Sequence, residues 1–285
     1  MKRKRGFRTL ADWVSRGVML LCFVGAALVL ASILFAIAAR GLGALNWEII
    51  SRPPDRAYLL GGSGGILNAI MGSLYLALGG TLIASLIAIP VVIYMHTYGT
   101  KSRLTRLTRL TLDVMWGMPS IVYGAFVFAF MLVIGMRASL LAGMITLALI
   151  SLPILTRTFD EVALMVPAAL SESTAALGTT KLELAGVLLR QTVPGLLAGI
   201  LLAFERGIGD GASILFTAGY TDAMPQSLLR PVASLPLAIF FQLGTPFPEV
   251  QARAYAAALV LTVIILIFGL LAYVVRTRMG RHVIR

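Results

Sequence analysis

Six stretches of the sequence are long and apolar enough to cross a lipid bilayer as helices. The hydrocarbon core is about 30 Å thick, so a spanning helix needs about 20 residues, and lipid offers the backbone no other hydrogen-bond partners. The chain is 59% apolar and only 13% charged, which excludes an ordinary soluble domain. We therefore predict an all-α membrane protein with six transmembrane helices. The predicted spans are residues 16–39, 68–98, 113–135, 138–158, 194–218 and 254–275.

These spans form one transmembrane domain over residues 16–276, between a basic amino-terminal segment (1–15) and a basic tail (277–285). Lys and Arg beside a span are retained in the cytoplasm, so their distribution predicts orientation. Seventeen of them fall on one side of the predicted topology and six on the other. We therefore expect a multi-pass protein of the bacterial inner membrane with both termini in the cytoplasm.

The first apolar run allows a second interpretation. A basic start, an apolar run and the small triplet at 36–38 also describe a cleavable signal peptide. The run is longer than the usual signal core of about 7 to 15 residues, so an uncleaved first helix is favoured.

Charge and composition also bear on the class of partner. The net charge of +12 comes from residues that flank apolar spans, which favours contact with anionic membrane lipid over nucleic-acid binding. The single cysteine, Cys22, excludes a disulfide scaffold, and two histidines far apart in sequence, His96 and His282, do not predict a metal centre. The sequence contains no Ser-His-Asp or H-E-x-x-H arrangement, so we do not expect an enzyme.

The segment between the fourth and fifth spans, residues 159–193, is predicted to lie in the cytoplasm. It contains two short helical patterns separated by Gly178, with Pro167 at the start of the first. Its mixture of apolar and polar residues fits either a solvated connector or an amphipathic helix that presents one face to a partner.

The residue order within this segment resembles the cytoplasmic "EAA" loop of ABC importer permeases. Glu172 and Gly178 occupy the acidic and glycine positions of that motif, and Ser173 and Thr174 replace its two alanines. The resemblance implies a coupling helix that seats on an ATP-binding subunit. The chain has no G-x-x-x-x-G-K-[ST] loop, so ATP and Mg²⁺ are expected to bind to that separate subunit, and no cofactor is expected in this chain.

A basic residue, Arg206, falls near the middle of the predicted fifth span, which also contains Glu205 and Asp210. Inserting arginine at that depth costs at least about 2.5 kcal/mol, so the side chain should face protein or water and have a partner. Asp210, four residues on, would share its helix face, whereas Glu205 points about 100° away. The pattern leaves two interpretations open: a structural Arg206–Asp210 ion pair, or a cation that meets a crossing anion.

The surrounding sequence resembles permeases of phosphate ABC transporters. R-x-x-G-D followed by ILFTAGY, starting at Arg206, is similar to their R-A-x-G-E…LLFTA stretch, and SLPLAIFFQL is similar to the SLP-x-x-IF segment of the PstA type. The resemblance implies a substrate pathway at Arg206, Asp210 and Glu205. It also implies a PstC-type permease partner, two ATP-binding subunits and a periplasmic phosphate-binding protein.

Other functions remain open from the sequence. Sulfate and molybdate share the tetrahedral geometry of phosphate, so a permease for either anion is an alternative. An autonomous secondary anion carrier is another.

The outer segment 219–253 contains an apolar run at 232–243, which is too short to span and is predicted to be interfacial or re-entrant.

Overall fold

The computed structural model of the chain describes residues 2–55, 64–100 and 102–279. These residues form helices and connecting segments, with no β-strand among them. Most of the predicted basic tail, residues 280–285, lies outside the described residues. The helices are α1 (Lys2–Ala44), α2 (Trp47–Ser51), α3 (Leu67–Thr97), α4 (Arg103–Trp116), α5 (Ser120–Val133), α6 (Leu140–Leu164), α7 (Ala168–Ala176), α8 (Lys181–Gly209), α9 (Leu235–Leu243) and α10 (Pro248–Met279).

Five of these helices are individually long and apolar enough to cross a membrane. They are α1, from Asp12 onward, and α3, α6, α8 and α10. A sixth crossing requires α4 and α5 to be taken together as one broken span. The all-α membrane fold predicted from the apolar runs is confirmed. Hydropathy did not reveal that the α4–α5 crossing is broken.

The broken span differs from the continuous helix predicted over residues 113–135. The chain bends by 106° between α4 and α5, at Gly117, Met118 and Pro119. Proline has no N–H to donate and disfavours helical geometry at the residue before it, so Met118 cannot continue the helix at low cost. The break leaves an exposed non-helical segment between α4 and α5.

The core of the bundle forms where α3 packs against α6 and α8. Ala84, Leu155, Phe159 and Ala203 are completely buried at this contact. Helix α10 packs on the other side of α8, and α1 packs mainly on α10. No residue in the most apolar stretch of α1 is buried, which is the surface expected of a helix in contact with lipid.

The apolar run at 232–243 forms the short helix α9, which packs within the bundle. Leu235 and Ala238 are buried against α10 and α3. The Leu235 N–H donates to Ser73 Oγ on α3 at 2.7 Å. These contacts fix the element that follows the fifth span.

The segment predicted to couple to a partner has the expected turn, with different helix boundaries. Helix α6 extends to Leu164, beyond the predicted limit at 158, and α7 begins directly after Pro167. The second short helical pattern is not separate: it is the first part of α8, which runs through Pro194 to Gly209. The side chains of Thr180 and Glu183 form a capping box at the start of α8.

Candidate functional site

Arg206 lies in the last turn of α8, and its side chain is exposed to a small recess of about 60 Å³. The recess is bordered by the α4–α5 break and by the middle of α6. Its lining residues are Met115, Trp116, Met118, Ser120, Tyr123, Ile150, Pro153, Ile154 and Arg206. Apart from Ser120 and the Tyr123 hydroxyl, the neighbours of the guanidinium are apolar or aromatic.

The Arg206 side chain forms no ion pair or hydrogen bond with any residue that the structure describes. The structural Arg206–Asp210 ion pair, one of the two interpretations of the sequence, is therefore absent here. Its physical basis is also missing, because α8 ends at Gly209 and Asp210 adopts an extended conformation (φ −86°, ψ 104°). The predicted fifth span to residue 218 is thus too long, and three nearby glycines explain the early end of the helix.

Asp210 has a local partner instead. Its Oδ1 accepts a hydrogen bond from the Ser213 N–H at 3.1 Å, which stabilises the turn that follows α8. The buried Ser213 hydroxyl finds no hydrogen-bond partner among the described residues. Ser213 also contacts α5 closely: a Cβ added to Gly124 would lie 2.1 Å from the Ser213 carbonyl oxygen. The turn after α8 is therefore packed directly against α5.

Glu205 lies on a different side of α8 from the recess. A Cβ added to Gly269 of α10 would lie 3.1 Å from Glu205 Oε1, so the carboxylate rests against that helix. It does not line the Arg206 recess. The structure thus places Arg206 in the recess, Asp210 just beyond the helix end and Glu205 at the α8–α10 contact.

The recess also borders the start of α5. Ser120 is the first residue of that helix and lines the recess, and no side chain caps this helix terminus. Backbone N–H groups at a helix start carry partial positive charge and favour an anion. Across the break, the Tyr123 hydroxyl donates to the Met115 carbonyl oxygen at 2.6 Å and ties α5 to α4. Guanidinium and helix start together can attract an oxyanion.

The residues predicted to form the coupling element lie together on and after α7. Glu172 and Ser173 are exposed, and Thr174 is buried, with its hydroxyl donating to the Leu170 carbonyl oxygen. Gly178 follows the helix with a φ of +74° and with nothing within 4 Å of an added Cβ. Glycine adopts this left-handed conformation at little cost, which explains its place after a helix.

A cluster of ion pairs around one buried carboxylate connects three helices at the end of the bundle nearest α7. Asp160 on α6 is 4% exposed and accepts hydrogen bonds from Arg109 on α4 and from His96 on α3. A second pair, Arg157 with Asp113, joins α6 and α4 at 3.7 Å. No local sequence signal indicates this cluster, because its members are 51 and 64 residues apart.

Within residues 2–55, 64–100 and 102–279, no group of three or more His, Cys, Asp or Glu side chains could hold a metal ion.

Comparison with known proteins places this architecture in a family. The profile of the "Binding-protein-dependent transport system inner membrane component" family matches residues 88–283. The phosphate transport system permease protein PstA of Yersinia pestis is 37% identical over 247 residues, covering 85% of this chain and 82% of that protein. PstA 1 of Mycobacterium tuberculosis (strain ATCC 25618 / H37Rv) is 31% identical over 263 residues, covering 89% and 83%.

Solved structures agree at the level of the fold. The inward-facing MetNI methionine ABC transporter, in its CY5 native crystal form, is similar with a TM-score of 0.58 and 18% identity, covering 77% of this chain and 96% of that chain. A bacterial alginate ABC transporter in complex with an alginate-bound periplasmic protein has a TM-score of 0.56 and 13% identity, covering 94% and 95%. The family match over residues 88–283 and the 37% identity to the Yersinia pestis protein show that the chain belongs to the binding-protein-dependent transport system inner membrane component family, within its PstA group.

Proposed function

We propose that this chain is a permease subunit of an ATP-driven importer that moves inorganic phosphate across the inner membrane into the cytoplasm. The observation that carries the proposal is the unpaired Arg206 guanidinium, which faces a recess inside a bundle that is 37% identical to a phosphate permease over 85% of the chain. The chain makes and breaks no bonds in this role. It provides one wall of a path for the anion.

The chemistry of the recess suits a tetrahedral oxyanion. A guanidinium presents a planar fork of donors that can bind two oxygens of one phosphate at once. Since no described side chain occupies those donors, they are available to the anion. The start of α5 adds a favourable partial charge beside the same recess. We assign Asp210, anchored by the Ser213 N–H, to limit how tightly Arg206 holds the anion.

The path needs a second wall, since Arg206 is exposed in this chain alone. A homologous PstC-type permease would supply it, and a periplasmic phosphate-binding protein would deliver phosphate from outside. Both termini would lie in the cytoplasm, on the same side as α7.

Helix α7 and its flanks would dock on one of two ATP-binding subunits, which hold ATP and Mg²⁺. This region exposes Leu177 by 84%, Leu182 by 74% and Met165 by 73%. Large apolar side chains exposed on this scale, next to the carboxylate of Glu172, are typical of a surface that a partner covers. Closure of the ATP-binding subunits would move α7 and, through the Thr180 cap, the start of α8.

The decisive experiment measures uptake of labelled phosphate by the complete importer in proteoliposomes. Arg206→Ala is expected to abolish uptake and leave the complex assembled, and Arg206→Lys is expected to retain only part of it because the fork is lost. Arg190→Ala, an exposed arginine of the same helix, is the matched control and should transport normally. Unchanged uptake by Arg206→Ala would overturn the assignment.

The same preparation separates the alternative functions. If excess sulfate or molybdate suppresses the uptake of labelled phosphate as strongly as excess unlabelled phosphate does, a different tetrahedral substrate is indicated. Uptake by this chain alone, without ATP and partner subunits, would indicate an autonomous carrier.

A further inference from the structure

An apolar groove of about 270 Å³ lies between α3, α4 and α6, and it extends along α4 toward the Arg206 recess at the end of that helix. Met115 borders both hollows and therefore forms part of the wall between them. The side chains that define the groove are Ile87 and Val91 of α3, Leu104 and Leu107 of α4, and Leu152 and Thr156 of α6.

The surface of the groove is mostly hydrocarbon, even at its threonine residues. Three threonines line it, and each donates its hydroxyl to a carbonyl oxygen of its own helix: Thr108 to Leu104, Thr111 to Leu107 and Thr156 to Leu152. With these hydroxyls satisfied, the threonines present their methyl groups. An occupant of the groove therefore needs no hydrogen-bonding groups.

One end of the groove is aromatic and cationic. Tyr94 and Tyr98 continue the α3 stripe of Ile87 and Val91, and their rings are stacked with centroids 6.4 Å apart. The Lys181 ammonium lies 5.4 Å from the centre of the Tyr98 ring. Tyrosine beside lysine or arginine is typical of the membrane–water interface, where both anchor a helix end.

A second cation lies at the same end, on the first residue of α4. Arg103 is about 40° around the helix from the groove residue Leu107, whereas Arg106 is roughly 160° from Leu104 and Thr108. The Arg103 side chain is exposed and forms no ion pair with a described residue. The turn before it is fixed because the Thr105 hydroxyl donates to the Gly99 carbonyl oxygen at 2.7 Å.

We propose that this groove binds an anionic phospholipid, with an acyl chain between α3, α4 and α6 and the phosphate group at Arg103 and Lys181. The apolar groove alone would accept any hydrocarbon. The two cations at one end select a lipid with net negative charge, which is the charge of the leaflet that basic flanks face. The lipid would support α4 along the groove, up to the Met115 wall that the groove shares with the transport recess.

The test uses the complete importer, reconstituted in nanodiscs of phosphatidylcholine with or without phosphatidylglycerol, then extracted and weighed intact by native mass spectrometry. The unchanged complex should retain phosphatidylglycerol in preference to phosphatidylcholine. Removing both charges, R103Q with K181Q, should lower that retention by about fivefold for each charge. Arg106→Gln is the matched control and should change retention little.

Filling the groove provides the second test. Leu107→Trp should abolish retention of both lipids, whereas the charge variants affect only the preference. Equal retention of the two lipids by the unchanged complex would overturn the proposal, even if Leu107→Trp failed to assemble. So would an Arg106→Gln effect as large as that of the double variant. L107C can be labelled with a thiol reagent in a Cys22→Ser background. If the second permease subunit protects this cysteine from the reagent, a helix of that subunit covers the groove instead.

Discussion

Asp160 of α6 accepts two hydrogen bonds from Arg109 of α4, at 3.2 Å from Nε and at 3.0 Å from Nη2. His96 Nε2 of α3 lies 2.7 Å from the same carboxylate. Because α4 leads directly into the break beside Arg206, this cluster positions one border of the recess. The ion cluster near α7 thus anchors α4, and the other end of α4 borders the candidate transport site.

Asp160→Asn should lower the stability of the protein by about 2 kcal/mol, because it removes the charge of a buried carboxylate that binds both Arg109, which is 41% exposed, and His96. We expect a melting temperature several degrees lower for the purified complex. Glu161→Gln is the control: Glu161 is the adjacent carboxylate, pairs with Arg157 at 3.3 Å and is 59% exposed. Exposed pairs contribute under about 1 kcal/mol, so equal losses in the two variants would contradict the prediction.

Variants of Asp210 should separate a role in stabilising the turn after α8 from a role in transport. Asp210→Asn keeps an oxygen that can accept from the Ser213 N–H, so the melting temperature should change little. Uptake should nevertheless fall, because the negative charge near Arg206 is lost. Asp210→Ala should lose about 1 kcal/mol of stability as well. Normal phosphate uptake by Asp210→Asn would reduce Asp210 to a purely structural residue.

Gly178 should tolerate asparagine better than alanine. Its φ of +74° is strained for residues with a Cβ and costs alanine roughly 1 kcal/mol, while asparagine adopts this conformation more readily. Space is not the issue, since nothing lies within 4 Å of an added Cβ. ATP hydrolysis by the complex should therefore respond to phosphate-loaded binding protein in Gly178→Asn and respond less in Gly178→Ala. Similar responses would argue against a conformational requirement.

Gly124 should not tolerate any side chain. Alanine would place its Cβ 2.1 Å from the Ser213 carbonyl oxygen, which forces α5 away from the turn after α8 at a cost of about 1–3 kcal/mol. Gly186→Ala in α8 is the control, because nothing lies within 4 Å of its added Cβ, and it should stabilise the helix by about 0.5–1 kcal/mol. Thermal unfolding of both variants would show opposite shifts.

The sequence predicted features that depend on local composition. Apolar length indicated the spans, and Pro167 with Gly178 bounded the helix that became α7. The charge of Arg206 in an apolar run indicated a side chain that faces protein or water, and it faces the recess, although it lies in the last turn of α8 and not at the middle of a span. Each of these signals is carried by residues that are neighbours in the chain, so periodicity and residue type suffice.

Features that depend on the packing of distant segments were not predictable in this way. Pro119 marks the place of the α4–α5 break, but the size of the 106° bend is not readable from it. Asp210 had the correct spacing for a helical pair with Arg206, yet α8 ends one residue before it. Asp160 and Arg109 are 51 residues apart, so their contact depends on how α4 crosses α6.

The break between α4 and α5 also affects what genetics can detect. Met118 and Ser120 of this break line the recess of Arg206, and amino-acid replacement cannot delete the dipoles of their peptide groups. Substitutions throughout the α4–α5 break would mainly alter its shape. Loss of anion recognition would instead concentrate at Arg206. Variation among natural relatives at the break is therefore compatible with an unchanged cargo.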